Sequence, residues 1–145
     1  MKDVRNILVT TDFSETSKKA IEPARTLATN FGARITLVHV EENHIPPMVL
    51  EYMAESLEEV RKHQHEYARR QLDAFAREYL AGLSVDTVVA VGVPHVEIVE
   101  VARSHSADMI VIATHGRGFI SHAILGSTAE RVVRRAECPV LVVRG

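Results

Sequence analysis

Apolar residues recur along the chain with two different periods. Short, nearly continuous runs rich in β-branched residues stand at Asn6–Thr10 and at residues 34–40, 84–91, 108–113 and 139–143. Runs of that kind predict strands buried on both faces, as in a parallel sheet. Between them the period changes to three- and four-residue steps. Ala20, Ile21, Ala24, Leu27, Ala28 and Phe31 predict one helix that Ser14 opens and Gly32 stops. Pro23 lies inside this pattern and removes one hydrogen bond to the preceding turn, so a kink between Lys19 and Pro23 is expected. After the polar stretch from Glu41 to Pro47, Leu50, Met53, Leu57, Val60, Gln64, Tyr67, Leu72, Phe75 and Tyr79 predict one face of a long helix, with Glu51, Arg61 and Arg69 off it. Pro94 suits the first turn of a third helix that runs to about Ser106. Ser127-x-x-Glu130 reads as a capping box that starts a fourth near Thr128. Strands alternating with helices predict a three-layer α/β sandwich on a parallel sheet, one domain over residues 1–145.

The chemistry concentrates after the fourth predicted strand. Ala113-Thr114-His115-Gly116-Arg117-Gly118 follows the run Met109-Ile110-Val111-Ile112, and Gly126-Ser127-Thr128 comes next, at a predicted helix start. A turn at the carboxyl end of a parallel strand is where open α/β sheets bind ligands. Glycines let main-chain N–H groups approach a ligand closely, and a helix N-terminus adds a favourable dipole, so this stretch predicts a phosphate-binding surface.

These residues carry a resemblance. Ala113-x-x-Gly116, nine residues, then Gly126-Ser127, followed by Pro139-Val140-Leu141-Val142-Val143, resembles the nucleotide-binding branch of the universal stress protein family. Ala113 replaces the first glycine of that pattern but keeps the side chain small. Thr11-Asp12-Phe13-Ser14, Val38-His39-Val40 and Gly92-Val93-Pro94-His95 stand where the family has its first acidic turn, second strand and third helix start. The resemblance implies strand order 3-2-1-4-5, a Rossmann-like fold of the adenine nucleotide alpha hydrolase type, and a bound ATP, ADP or AMP, with Mg²⁺ left open as an accompanying ion. It implies that Thr11 and Asp12 meet the ribose or the adenine edge and that Val40 holds adenine through main-chain atoms. It also implies that Ala113, Thr114, His115, Gly116, Arg117 and Gly118 wrap the ribose and phosphates, while Gly126, Ser127 and Thr128 offer donors to the outer phosphates. In the implied strand order Val140-Leu141-Val142-Val143 is an apolar, uncharged sheet edge, which predicts a homodimer paired through it.

Composition narrows the classes. The 145 residues carry 17 basic and 19 acidic side chains, net charge −2, with no polybasic block, so nucleic acid is not an expected partner. No apolar run reaches the roughly 20 residues of a spanning helix, and Met1-Lys2-Asp3-Val4-Arg5 has no apolar stretch of a leader behind it, so a cytoplasmic protein is expected. The one cysteine, Cys138, allows no internal disulfide and reads as a buried spacer ahead of a strand, with a redox sensor as the alternative. Of the eight histidines, His63 and His65 are two apart on a helix and point in different directions, and His39, His95, His115 and His122 have no ligand spacing that joins them. No Gly-Lys-Ser/Thr step, dinucleotide fingerprint, nucleophile elbow or His-Glu-x-x-His is present. The function that the resemblance implies is a regulatory adenine-nucleotide binding module of stress response that acts on an unidentified protein partner, and no residue is assigned to catalysis. The alternatives are a slow ATPase and a nucleotide-free dimerisation module.

Overall fold

The structure, a computed structural model, describes residues 3–42, 45–114 and 125–144. Five strands, β1 (Asn6–Thr10), β2 (Arg34–Glu41), β3 (Val85–Val91), β4 (Met109–Ala113) and β5 (Val140–Val143), make a parallel sheet in the order 3-2-1-4-5. β1 is central, with Thr10 opposite Val38 of β2 and Ile7 opposite Met109 of β4. The strand period of two divides the core cleanly. Ile7, Val9, Ile35, Leu37, Val111 and Ala113 face one side, and Leu8, Val38, Ile110 and Ile112 face the other.

Helices cover both faces, as parallel crossovers require. α2 (Ile21–Phe31) and α3 (Pro47–Tyr79) bring Ile21, Ala24, Ala28, Leu72 and Phe75 to the first face. α4 (Pro94–Ser104) and α5 (Ser127–Arg135) bring Ile98, Val101, Ala129 and Val132 to the second. A short α1 (Glu15–Lys18) precedes α2, and here the structure departs from the expected kink. The N–H groups of Lys19 and Ala20 bond three residues back, to Thr16 and Ser17, so the chain breaks into two helices. Pro23 then falls in the first turn of α2, where a missing N–H has no intrahelical partner to lose.

α3 corrects a second expectation. Only Ala68, Leu72 and Phe75 of its 33 residues are buried, while Met53, Val60 and Tyr67 are 51%, 48% and 57% exposed. The face that turns inward runs Leu50, Ala54, Leu57, Arg61, His65, Ala68, Leu72, Phe75: it keeps Leu50, Leu57, Leu72 and Phe75 of the expected face and sets Ala54 and Arg61 in place of Met53 and Val60. Length explains the difference between the two halves. A 33-residue helix spans about 50 Å, whereas the seven residues of β3 cover about 23 Å. The first half of α3 therefore overhangs the carboxyl edge of the sheet, and Met53 departs from helical geometry there (φ −131°, ψ 25°).

Candidate functional site

The site begins where β1 stops. Thr11 is buried, and its hydroxyl accepts from Phe13 N at 3.0 Å and shares a 3.0 Å bond with the Ser17 hydroxyl. Ser17 Oγ donates to the Ser14 carbonyl at 2.9 Å, so the shared proton comes from Thr11. Asp12 Oδ1 accepts from Ser14 N at 3.0 Å, and Ser14 Oγ caps α1 through Ser17 N at 3.1 Å. Thr11, Asp12 and Ser14 thus satisfy main-chain donors of the turn and of the first turn of α1. The turn forces Phe13 to φ +66°, a left-handed value unusual for a bulky residue. Its ring rests against His39, centroids 4.5 Å apart, and against Phe75 at 6.0 Å, which holds the conformation in place. His39 Nδ1 donates to the Thr11 carbonyl at 2.9 Å.

β2 runs past the end of β1, and that offset exposes main chain. Thr11 N donates to the Val38 carbonyl, so Val38 turns its peptide groups toward β1. Gly92 N donates to the Glu41 carbonyl on the β3 side. Peptide groups of alternate residues in a strand point the same way. Val40 therefore directs its N–H and C=O toward β1, beyond Thr10, the last β1 residue in the pairing register.

On the other side of β1, Gly126 N donates to the Thr114 carbonyl at 2.6 Å and brings the start of α5 to the end of β4. The expected capping box is absent. Gly126 is the N-cap (φ −66°, ψ 156°), Ser127 is already helical, and no side chain caps the helix. The N–H groups of Ser127, Thr128 and Ala129 lie in the first turn, where no intrahelical acceptor exists, at the positive end of a nine-residue helix.

These elements line a single cleft of about 1620 Å³. Thr11, Asp12, Val40, Ala113, Thr114, Gly126, Ser127 and Thr128 all reach it. His115, Gly116, Arg117 and Gly118 lie outside the described residues. The opposite wall is the overhanging half of α3, which sequence reasoning did not bring to the site. Leu50, Ala54, Leu57, Arg61 and His65 line it, and His65 Nδ1 donates to Glu41 Oε2 at 3.2 Å across the cleft mouth. Counting back from Ala68 and Leu72 in steps of three and four gives this wall directly. Met53 and Val60, one position away from Ala54 and Arg61, conceal part of it.

Among the described residues no group of three or more His, Cys, Asp or Glu side chains is placed to hold a metal ion, and no helix is long and apolar enough to cross a membrane. His95 is buried on α4, away from the cleft lining, where burial and then the charges of Arg135 and Arg131 lower its pKa. Cys138 is half-buried, and burial pushes its thiol pKa up.

Residues 3–144 match the model of the universal stress protein family. The chain belongs to the universal stress protein family. Universal stress protein MJ0531 of Methanocaldococcus jannaschii is 35% identical over 143 residues, covering 97% of this chain and 82% of the relative. Among solved structures, MJ0577 of the same organism superimposes with TM-score 0.85 at 29% identity, over 99% of this chain and 98% of that one. A universal stress protein in complex with cAMP shares the fold with TM-score 0.66 at 22% identity, over 98% of each chain. The five-stranded order 3-2-1-4-5 is the architecture of these universal stress proteins.

Proposed function

We propose that this universal stress protein binds an adenine nucleotide, ATP, ADP or AMP, in the cleft above β1 and works as a nucleotide-dependent binding module. The observation that carries the reading is the pairing of two sets of unused main-chain groups across one cleft. The edge of Val40 offers one donor and one acceptor, the combination that the amino and ring-nitrogen edge of adenine needs. The uncapped start of α5 at Gly126, Ser127 and Thr128 offers N–H groups and a dipole suited to phosphate. Thr11, Asp12, Ala113 and Thr114 lie between the two, where a ribose would sit. His115, Gly116, Arg117 and Gly118 complete the reading by their place in the glycine motif. The donor set fits a nucleotide: neutral groups face the base and partial positive charge faces the phosphates. When bound, the nucleotide supplies negative charge that the start of α5 is built to accept.

Titration calorimetry with ATP, ADP and AMP tests the reading, together with Gly126→Val. A branched side chain at the N-cap would crowd the approach to the first-turn N–H groups while leaving φ −66° acceptable. Binding by the wild type and its loss in a variant with an unchanged melting profile is expected. Unchanged affinity in the folded variant would overturn the assignment.

A further inference from the structure

We infer that Arg61 of α3 is an anion-binding residue of the cleft and contacts the phosphates of its ligand; the identity of that anion rests on the nucleotide reading above. The starting observation is an orphan donor. Arg61 Nε has under 1 Å² of exposed surface and no hydrogen-bond partner. Buried donors are almost always bonded, and an arginine carries five N–H groups and no acceptor, so an unmet one marks a place where an acceptor from outside the chain belongs. Arg61 also lies on the inward stripe of α3, one turn beyond Leu57 and one turn before His65, and lines the cleft with them.

Charge sharpens the inference. The described lining holds the carboxyl side chains of Asp12, Glu41, Glu42, Glu58, Glu66 and Glu130 against Arg61 and Lys62 as permanent cations. A phosphate chain entering such a cleft needs a full positive charge near it, because the start of a helix supplies only about half a charge. Lys62 is exposed, whereas Arg61 is half-buried. Among the described residues no carboxylate forms an ion pair with Arg61, and Glu41, at the end of β2, is engaged by His65. A planar guanidinium with two parallel donors matches a phosphate better than an ammonium does.

The placement also selects among ligands. The cleft, at about 1620 Å³, exceeds the 300–1,000 Å³ of ordinary small-molecule pockets. Its two anion-seeking features lie on different elements, α5 and α3. A ligand with several phosphates carries more charge for the two to meet than a ligand with one. The preferred ligand is therefore a nucleoside di- or triphosphate, bound more tightly than its monophosphate.

Calorimetry on the full chain with ATP, AMP, adenosine and inorganic tripolyphosphate separates the possibilities. Arg61→Gln should weaken ATP at least tenfold, about 1.4 kcal/mol, weaken AMP less, and leave adenosine within twofold. Arg61→Lys, which keeps the charge and loses the fork, should fall between. Unchanged ATP affinity, or an equal loss for ATP and adenosine, would overturn the inference. If the wild type ignores ATP but binds tripolyphosphate, and Arg61→Gln loses it, the nucleotide reading fails and the role of Arg61 stands. If the wild type binds neither, both fail. Should Arg61→Gln not fold, phenylglyoxal labelling of the wild type decides: ATP should protect Arg61, and equal labelling with and without ATP would refute the contact.

Discussion

Glu41 Oε2 and His65 Nδ1 lie 3.2 Å apart, which ties the last residue of β2 to the middle of the helix that follows it. The bond joins the overhanging part of α3 to the carboxyl end of the sheet. Both side chains keep partial contact with water, His65 at 41% and Glu41 at 21% exposure, so the pair is worth no more than about 1 kcal/mol. Glu41→Gln should raise amide exchange over residues 47–65 by less than about fivefold, since 1 kcal/mol is that factor in an opening equilibrium. Residues 68–79, anchored by Ala68, Leu72 and Phe75, should not change. Exchange mass spectrometry reads both segments at once, and a uniform change along the helix would deny the tie its local role.

His95 sets a pH dependence. Burial, and then Arg135 and Arg131, hold its pKa below the usual 6.5. In the unfolded chain the imidazole takes up a proton as pH falls through 6.5, whereas the folded His95 resists until the pH is lower. Its contribution to stability is therefore complete above pH 6.5 and is lost as pH falls from there toward the lowered value. Urea midpoints at pH 7.5 and 5.5 should drop more for the wild type than for His95→Gln. Parallel drops would place the acid sensitivity elsewhere.

Bound ATP should be hydrolysed slowly or not at all. Phosphoryl transfer depends on groups that position the nucleophile and neutralise charge in the transition state, and the sequence has no Walker lysine step. Turnover should fall well below about 1 s⁻¹, the low end for ordinary enzymes. A faster, magnesium-dependent rate that Asp12→Ala abolishes would make the protein an ATPase.

The outer edge of β5 should pair with a second copy. The carbonyls of Pro139 and Val143 accept from Ile110 N and Thr114 N, so Val140 and Val142 turn their N–H groups away from β4. β5 ends the sheet order and carries Val-Leu-Val-Val with no charge to discourage pairing. A twofold axis would let each edge complete the other. Val142→Pro removes an outward N–H and spares the donors that β4 supplies. Light scattering should give a dimer for the wild type and a monomer for the variant. A wild-type monomer, or a dimer indifferent to the proline, would exclude this interface.

The parts of the fold legible in the sequence were those with one dominant period. Each strand was bracketed by an apolar run that ended at a polar or glycine residue, and β1 falls where Asn6–Thr10 predicts it. Gly32 takes the left-handed value that its place as a helix stop predicts, φ +63°. Legibility failed where local and distant forces competed. Pro23 fits a kink as well as a helix start, and only the three-residue bonds at Lys19 and Ala20 separate the two. The face of α3 is legible only in part: Leu50, Leu57, Leu72 and Phe75 turn inward as expected, but Met53 and Val60 are large and apolar yet exposed, while small Ala54 and Ala68 and polar Arg61 and His65 face inward. The residues expected on the β1, β4 and α5 sides line the cleft, because strand ends and a glycine before a helix leave local signatures even though the expected capping box does not form. The site was partly hidden on the α3 side, where a cleft wall needs neither large nor apolar residues.

Because β1 is flanked by β2 on one side and β4 on the other, the cleft is a product of very distant contacts. Asn6 N bonds to Asp108 Oδ2 across 102 positions, and the Thr114 carbonyl receives Gly126 N only after β4 is in place. Closing a loop of that size is slow, since its entropy must be met before the pairing returns anything. During synthesis, a growing chain that has emerged only as far as β3 can pair β2 with β1 and β3, but it has one bank of the cleft and no helix start for a phosphate. On the proposed reading, ligand binding must therefore wait until residues 126–135 have left the ribosome, and a nucleotide can stabilise the fold only once β4 and α5 have docked.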